Sequence, residues 1–164
     1  MASTFHGYAL DQVIVPTTLV ANTAYLSIRN TSVNRDIVVT AVQIHSLFTG
    51  AAAATRSIFA LQRFQGTPTG GAAVVPVKLN PGSPAAQVEI LFSNSGLTVT
   101  PGSTDRFYRF VAPSQLTLVS EAHAELNEDS PIHLPPGYCL LLLADNTIIN
   151  GAALSANVKF YEVL

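Results

Sequence analysis

Ile132-His-Leu-Pro-Pro-Gly-Tyr-Cys-Leu-Leu-Leu-Leu-Ala-Asp-Asn146, followed by a Gly/Ala/Ser link and Asn157-Val-Lys-Phe-Tyr-Glu-Val-Leu164, decides the fold class of this chain. Leu134-Pro135-Pro136-Gly137 is turn chemistry, because proline fixes φ and glycine accepts φ > 0. The apolar run Cys139–Ala144 is too short to cross a membrane and suits a strand covered on both faces. Val158 and Phe160 alternate with Lys159 and Tyr161, as in a strand buried on one side. The expectation is a terminal pair of strands tied into a sheet.

Working outward, the same grammar recurs. Thr23–Arg29 alternates Ala24, Leu26 and Ile28 against Tyr25, Ser27 and Arg29. Asn30–Asp36 is rich in turn formers, and Ile37–Leu47 is a long β-branched strand. Ser57–Gln65 ends at Gly66-Thr-Pro-Thr-Gly-Gly71. Ala72–Leu79 contains Pro76, which confines it to an edge or a bulge. Ala86–Phe92 alternates, Ser93-Asn-Ser-Gly96 turns the chain into Leu97–Thr100, and further strands are expected over Arg106–Val111 and Leu116–Ala124. No sustained helical period occurs. Short strands separated by turn clusters specify an all-β protein, an antiparallel β-sandwich. Long loops at 48–56 and 66–72 favour a jelly roll, with an immunoglobulin-like sandwich as the alternative. Residues 21–164 are expected to form that single domain.

Residues 1–20 are less regular. Phe5, Tyr8, Leu10, Val13, Ile14 and Val15 are apolar, Asp11 is the sole charge, and Pro16 breaks the run. They are expected to form an extended N-terminal arm that buries itself against other chains, an ordinary first strand being the alternative.

The chain has 164 residues, of which 11% are charged and 48% hydrophobic, with a net charge of −2. That charge content is less than half of the about 25% usual in soluble proteins. Few charges leave little like-charge protection against association, so self-association is expected. Nucleic-acid binding is not, because the eight Lys and Arg form no basic stripe. No membrane partner is expected, since no apolar run reaches about 20 residues. The start, Met1-Ala-Ser-Thr-Phe-His-Gly7, lacks the basic and apolar regions of a signal peptide. The lone Cys139 sits in an apolar run and reads as a buried hydrophobe in a chain made in a reducing cytoplasm.

Signals for chemistry are sparse. Glu121-Ala-His-Ala-Glu125 puts two carboxylates and an imidazole on one strand face. These are metal-ligand types, but a site needs a further ligand from elsewhere and the sequence specifies none. No metal, cofactor or catalytic residue is therefore assigned. There is no Gly-x-Ser-x-Gly elbow and no phosphate-cradling glycine loop. Arg106-Phe-Tyr-Arg-Phe110 interleaves cations with aromatics, and Arg and aromatics are favoured at protein interfaces. The expected interface residues are Phe5, Tyr8, Val13, Ile14, Arg106, Tyr108 and Phe110.

The run Ile132-His-Leu-Pro-Pro-Gly-Tyr-Cys-Leu-Leu-Leu with the terminal Asn157-Val-Lys-Phe-Tyr-Glu162 resembles the end of small β-sandwich structural proteins of tailed bacteriophages. Low charge and small size are similar to capsid decoration, or cement, proteins. The resemblance implies a non-enzymatic virion protein, made in the host cytoplasm. It would bind the major capsid protein on the shell surface as a homo-oligomer, a trimer first. The competing expectation is a carbohydrate- or receptor-binding jelly roll, such as a lectin or tail-fibre head.

Overall fold

A computed structural model of the chain describes residues 6–14, 18–48, 57–99, 104–112, 120–124, 131–145, 148–149 and 152–163. Among the described residues there is no helix. The strands are His6–Ile14 (β1), Thr18–Leu19 (β2), Thr23–Asn30 (β3), Asp36–Phe48 (β4), Ser57–Gln65 (β5), Ala72–Val74 (β6), Val77–Lys78 (β7), Val88–Leu97 (β8), Thr104–Ala112 (β9), Ser120–Ala124 (β10), Ile132–Leu134 (β11), Tyr138–Ala144 (β12), Ile148–Ile149 (β13) and Ala152–Val163 (β14).

They form two antiparallel sheets. The first runs β10-β4-β14-β1-β7, with β11 pairing farther along β4; the second runs β6-β8-β3-β12-β5-β9. β13 and β2 make a small separate ladder. The last strands are inserted between the first ones: β14 lies between β1 and β4, and β12 between β3 and β5. The terminal pair expected from the sequence is thus not a pair. β12 and β14 belong to opposite sheets, and the Ala/Ser link before Asn157 is itself strand from Ala152 onward.

The main core lies between the sheets. Tyr8, Leu10, Ile37, Val39, Val42, Ile44, Val158 and Phe160 from the first meet Tyr25, Leu26, Ile28, Phe59, Leu61, Ile90, Leu140 and Leu142 from the second. β12 is buried on both faces, as its unbroken apolar run requires. Its second face, Cys139, Leu141 and Leu143, packs with Ala24, Phe64 and Leu97 in a smaller cluster.

Several sequence boundaries shift for identifiable reasons. Ser93-Asn-Ser-Gly96 is not a turn but the interior of β8. Leu26 pairs with Phe92 and Ala24 with Leu97, so the surplus residues of β8 bulge out. Gly96 sits there at φ 101°, and a Cβ on it would stand 2.3 Å from Thr23 Cγ2. An irregularity between Leu142 and Leu143 also breaks the alternation of β3. It puts Tyr25 beside Leu26 in the main core and Ala24 in the outer cluster. Pro76 divides the expected strand 72–79: β6 joins the edge of the second sheet and β7 the edge of the first. Proline has no N–H to continue a ladder.

His6–Ile14 is also a correction. It pairs along its whole length with Leu154–Glu162 of β14, and Tyr8 and Leu10 are core residues. Over this stretch the expected arm is a strand of the sandwich, because its apolar residues at alternate positions find cover within the chain. Residues 1–5, including Phe5, and 15–17 lie outside the described residues.

Candidate interaction surface

Alternation along β1, β4 and β14 sends Tyr8, Leu10, Val42, Ile44, Val158 and Phe160 inward, so their neighbours in sequence form the outer face of the first sheet. The register aligns them in rows. Gln43, Asn157 and Asp11 follow one another across β4, β14 and β1, and Ala41, Lys159, Ala9 and Val77 make the next row, reaching β7. Ala9 and Ala41 are short, while Gln43 and Lys159 are long. The result is a depression of about 290 Å³ lined by Ala9, Asp11, Ala41, Gln43, Asn157 and Lys159, with Val77 at its rim. The Ser155 hydroxyl donates to Asp11 Oδ1 at 3.3 Å. Leu10 and Val158 complete the lining, so its surface is mostly apolar, with the carboxylate of Asp11, the amides of Gln43 and Asn157 and the ammonium of Lys159 set around it.

Beside it the sheet edge is apolar. Val75 is 87% exposed, Val77 68%, Val13 55% and Leu79 50%. Leu79 lies across Gly7: its Cδ1 and the Tyr161 ring each come within 3.0 Å of where a Cβ on Gly7 would be. The Leu79 N–H donates to the Gly7 carbonyl at 2.9 Å. Depression and edge together make a largely apolar surface with few charges, Asp11 and Lys159 among them, a composition that suits an interface.

One end of the sandwich is closed by a buried polar cluster. Glu162 Oε2 accepts from Arg35 NH1 at 3.2 Å, and Glu162 Oε1 accepts from the Gln87 backbone N–H. Asn30, fully buried, donates to the carbonyls of Arg35 at 2.7 Å and Leu134 at 2.8 Å. Its Oδ1 accepts from Ser32 N at 2.9 Å. The Tyr8 hydroxyl donates to the Pro84 carbonyl at 3.0 Å, and its ring stacks on Phe160 with centroids 5.4 Å apart. Burial, with the Glu162 carboxylate added, pushes the Tyr8 phenol up, opposed by Arg35. These contacts hold β1 and β14 to the turns at 30–36 and 80–87, a structural duty.

The expected interface residues divide. Tyr8 is a core residue, not a surface one. Val13 is exposed on the outer face. Ile14 ends β1, and its side chain lies outside the described residues, as do those of Arg106, Tyr108 and Phe110. On backbone register Tyr108 stands opposite Leu61 and Phe110 opposite Phe59, both core positions. A register shift then sets Arg106 opposite Gln62. Glu121 and His123 are on β10, and Glu125 lies outside the described residues. Among the described residues no group of three or more His, Cys, Asp and Glu stands in metal-binding geometry. Cys139 is buried and donates to the Phe64 carbonyl at 3.4 Å. Burial pushes its thiol up to about 12, with Arg29 opposing, which leaves no thiolate for nucleophilic work at neutral pH.

Sequence reasoning missed the depression, because its lining comes from strands far apart in the chain. It also missed Glu162, although its place on the Val158/Phe160 face was readable. Comparison with protein-family models, with characterised proteins and with solved structures returned no match.

Proposed function

We propose that this chain is a non-enzymatic structural protein of a virion, a jelly-roll decoration protein that binds the outside of a phage capsid shell as a homo-oligomer, with a trimer as the first choice. The observation that carries this reading is the low-charge outer face of the first sheet with its apolar edge, Val13, Val75, Val77 and Leu79. Its charges are few, Asp11 and Lys159 in the depression among them, so most of the area can be covered by another protein at little desolvation cost.

The jelly-roll reading is supported by strand order. Setting β6, β7 and β8 aside as an insertion, β10-β4-β14-β1 faces β3-β12-β5-β9. That is the order reached when a long antiparallel hairpin of four strand pairs is rolled up, and jelly rolls are common in viral capsid domains. Repetition of one patch by symmetry and of one weak contact over a lattice then gives firm attachment from modest interfaces.

Sedimentation analysis tests the assembly. A discrete oligomer is expected at micromolar concentration, and Val77→Asp with Leu79→Asp is expected to dissociate it while the β circular dichroism spectrum persists. A monodisperse 17.3 kDa monomer would count against the proposal, as would failure to bind shells of the virus whose genome carries the gene.

The polar groups around the depression favour a second reading, a carbohydrate- or receptor-binding module. Asp11, Gln43, Asn157 and Lys159 are sugar-hydroxyl partners by chemistry. A glycan array separates the two: saturable binding abolished by Asp11→Ala and Asn157→Ala supports the module.

A further inference from the structure

Asp11 and Lys159 are the charged residues at the outward positions of β1 and β14, one of each sign. Asp11 stands opposite Asn157 and Lys159 opposite Ala9, so the two are diagonal neighbours with Cβ atoms about 7–8 Å apart. Both side chains are exposed. Among the described residues the ion pairs are Arg29–Glu89 and Arg35–Glu162, and neither Asp11 nor Lys159 belongs to them. The ground around the two is uncharged: Ala9, Ala41, Gln43, Asn157 and Val77. A depression with one carboxylate and one ammonium side by side is complementary to itself.

We infer that the outer face of the first sheet is a two-fold interface between two copies of this chain, closed by two reciprocal ion pairs, Asp11 of each copy with Lys159 of the other. This pairing rests on the reading of the face as a protein interface and goes beyond it by naming the partner. A two-fold contact uses the same patch on both partners. An axis lying between the stacked sheets, equidistant from Asp11 and Lys159, carries the carboxylate of one copy onto the ammonium of the second and the reverse. A head-to-tail contact satisfies only one such pair at each interface.

The relief of the face suits the same arrangement. Ala9 and Ala41 set a low floor beside the long side chains of Gln43 and Lys159, in a depression of about 290 Å³. The Lys159 stem of the facing copy can lie on that apolar floor while its ammonium reaches the carboxylate. Sheets packed face to face stand about 10 Å apart, close enough for a lysine and an aspartate from opposite sheets to meet. On ordinary strand spacings the face over β4, β14, β1 and β7 measures roughly 30 Å by 20 Å, comparable with the ~800 Å² that a stable interface takes from each partner. The apolar lining supplies the burial, and the reciprocal charges fix register and partner.

Sedimentation of the wild type at micromolar concentration is expected to show a dimer, or a hexamer where a trimer also forms through another surface. Asp11→Lys and Lys159→Asp each turn both pairs into like-charge contacts, and each should weaken this association by more than about 10-fold. Mixed in equal amounts, the two variants should associate again, because reversal at position 11 then meets reversal at position 159 in both pairs. Native mass spectrometry should find the mixed species, and both reversals in a single chain should restore self-association. Far-ultraviolet circular dichroism checks the fold of each variant. Asp11→Asn and Lys159→Gln replace a reversal that does not fold, and each should weaken association in the same direction. A monomeric wild type would overturn this pairing and the oligomer reading together. A trimer without even-numbered species, an oligomer that every substitution leaves intact, or a loss that the mixture does not repair would overturn the two-fold contact alone and leave that reading standing.

Discussion

Glu162 is 1% exposed and yet carries a carboxylate. What makes that tolerable is the Arg35 guanidinium together with the Gln87 N–H. A buried ion pair contributes little net stability, but removing one partner strands the other. Glu162→Ala is expected to cost about 3 kcal/mol, read as a fall in the urea midpoint with an unchanged slope. Two other buried groups set a pH dependence. The Cys139 thiol is pushed from 9.0 up to about 12 in the folded chain, and the Tyr8 phenol is raised above 10.0. Above pH 9 the unfolded thiol loses its proton while the folded one keeps it, so the unfolded state gains. Stability from Cys139 is therefore complete below pH 9 and lost as pH rises through about 12. Tyr8 adds to the loss above pH 10. Chemical denaturation from pH 8 to 11 should show this decline, and Cys139→Ala should remove its first part.

At the scale of the element, β12 is the strand to test. Leu142 faces the main core and Leu141 the outer cluster, yet both are buried. If the second face is a real core, Leu141→Ala costs about 2–5 kcal/mol, as Leu142→Ala does. Val33→Ala, at a residue 90% exposed, should change stability by no more than about 0.5 kcal/mol. Turn chemistry made β12 legible, since Pro135-Pro136-Gly137 fixes its start and Gly137 indeed takes φ 80°. The bulge in β8 was not legible. Ser93-Asn-Ser-Gly96 has turn composition, and only pairing with β3 keeps it in a ladder: the Ser93 hydroxyl accepts from Ser95 N–H at 3.2 Å, and Gly96 supplies the left-handed backbone.

For the whole molecule, the pairing of β1 with β14 is decisive, because it joins the earliest described strand to the last. A chain beginning at Thr17 would lose Tyr8 and Leu10 from the core and uncover Phe160. It is expected to unfold, not merely to dissociate, in contrast to the behaviour of a detachable arm. Circular dichroism of that truncation decides the matter, a retained β spectrum marking residues 6–14 as dispensable to the fold. The sequence by itself determined the all-β class, the positions of most strands, the double burial of Cys139–Ala144 and the edge placement of the segment around Pro76. These follow from alternation and from local turn chemistry, which act over a few residues. Only the tertiary structure decided which strands are neighbours, that Tyr25 turns inward, that a register shift sets Arg106 opposite Gln62, and that His45 stands opposite Glu121. Each of those depends on register between distant segments. A shift of a single residue reverses the face that every side chain takes, and no short stretch of sequence encodes it.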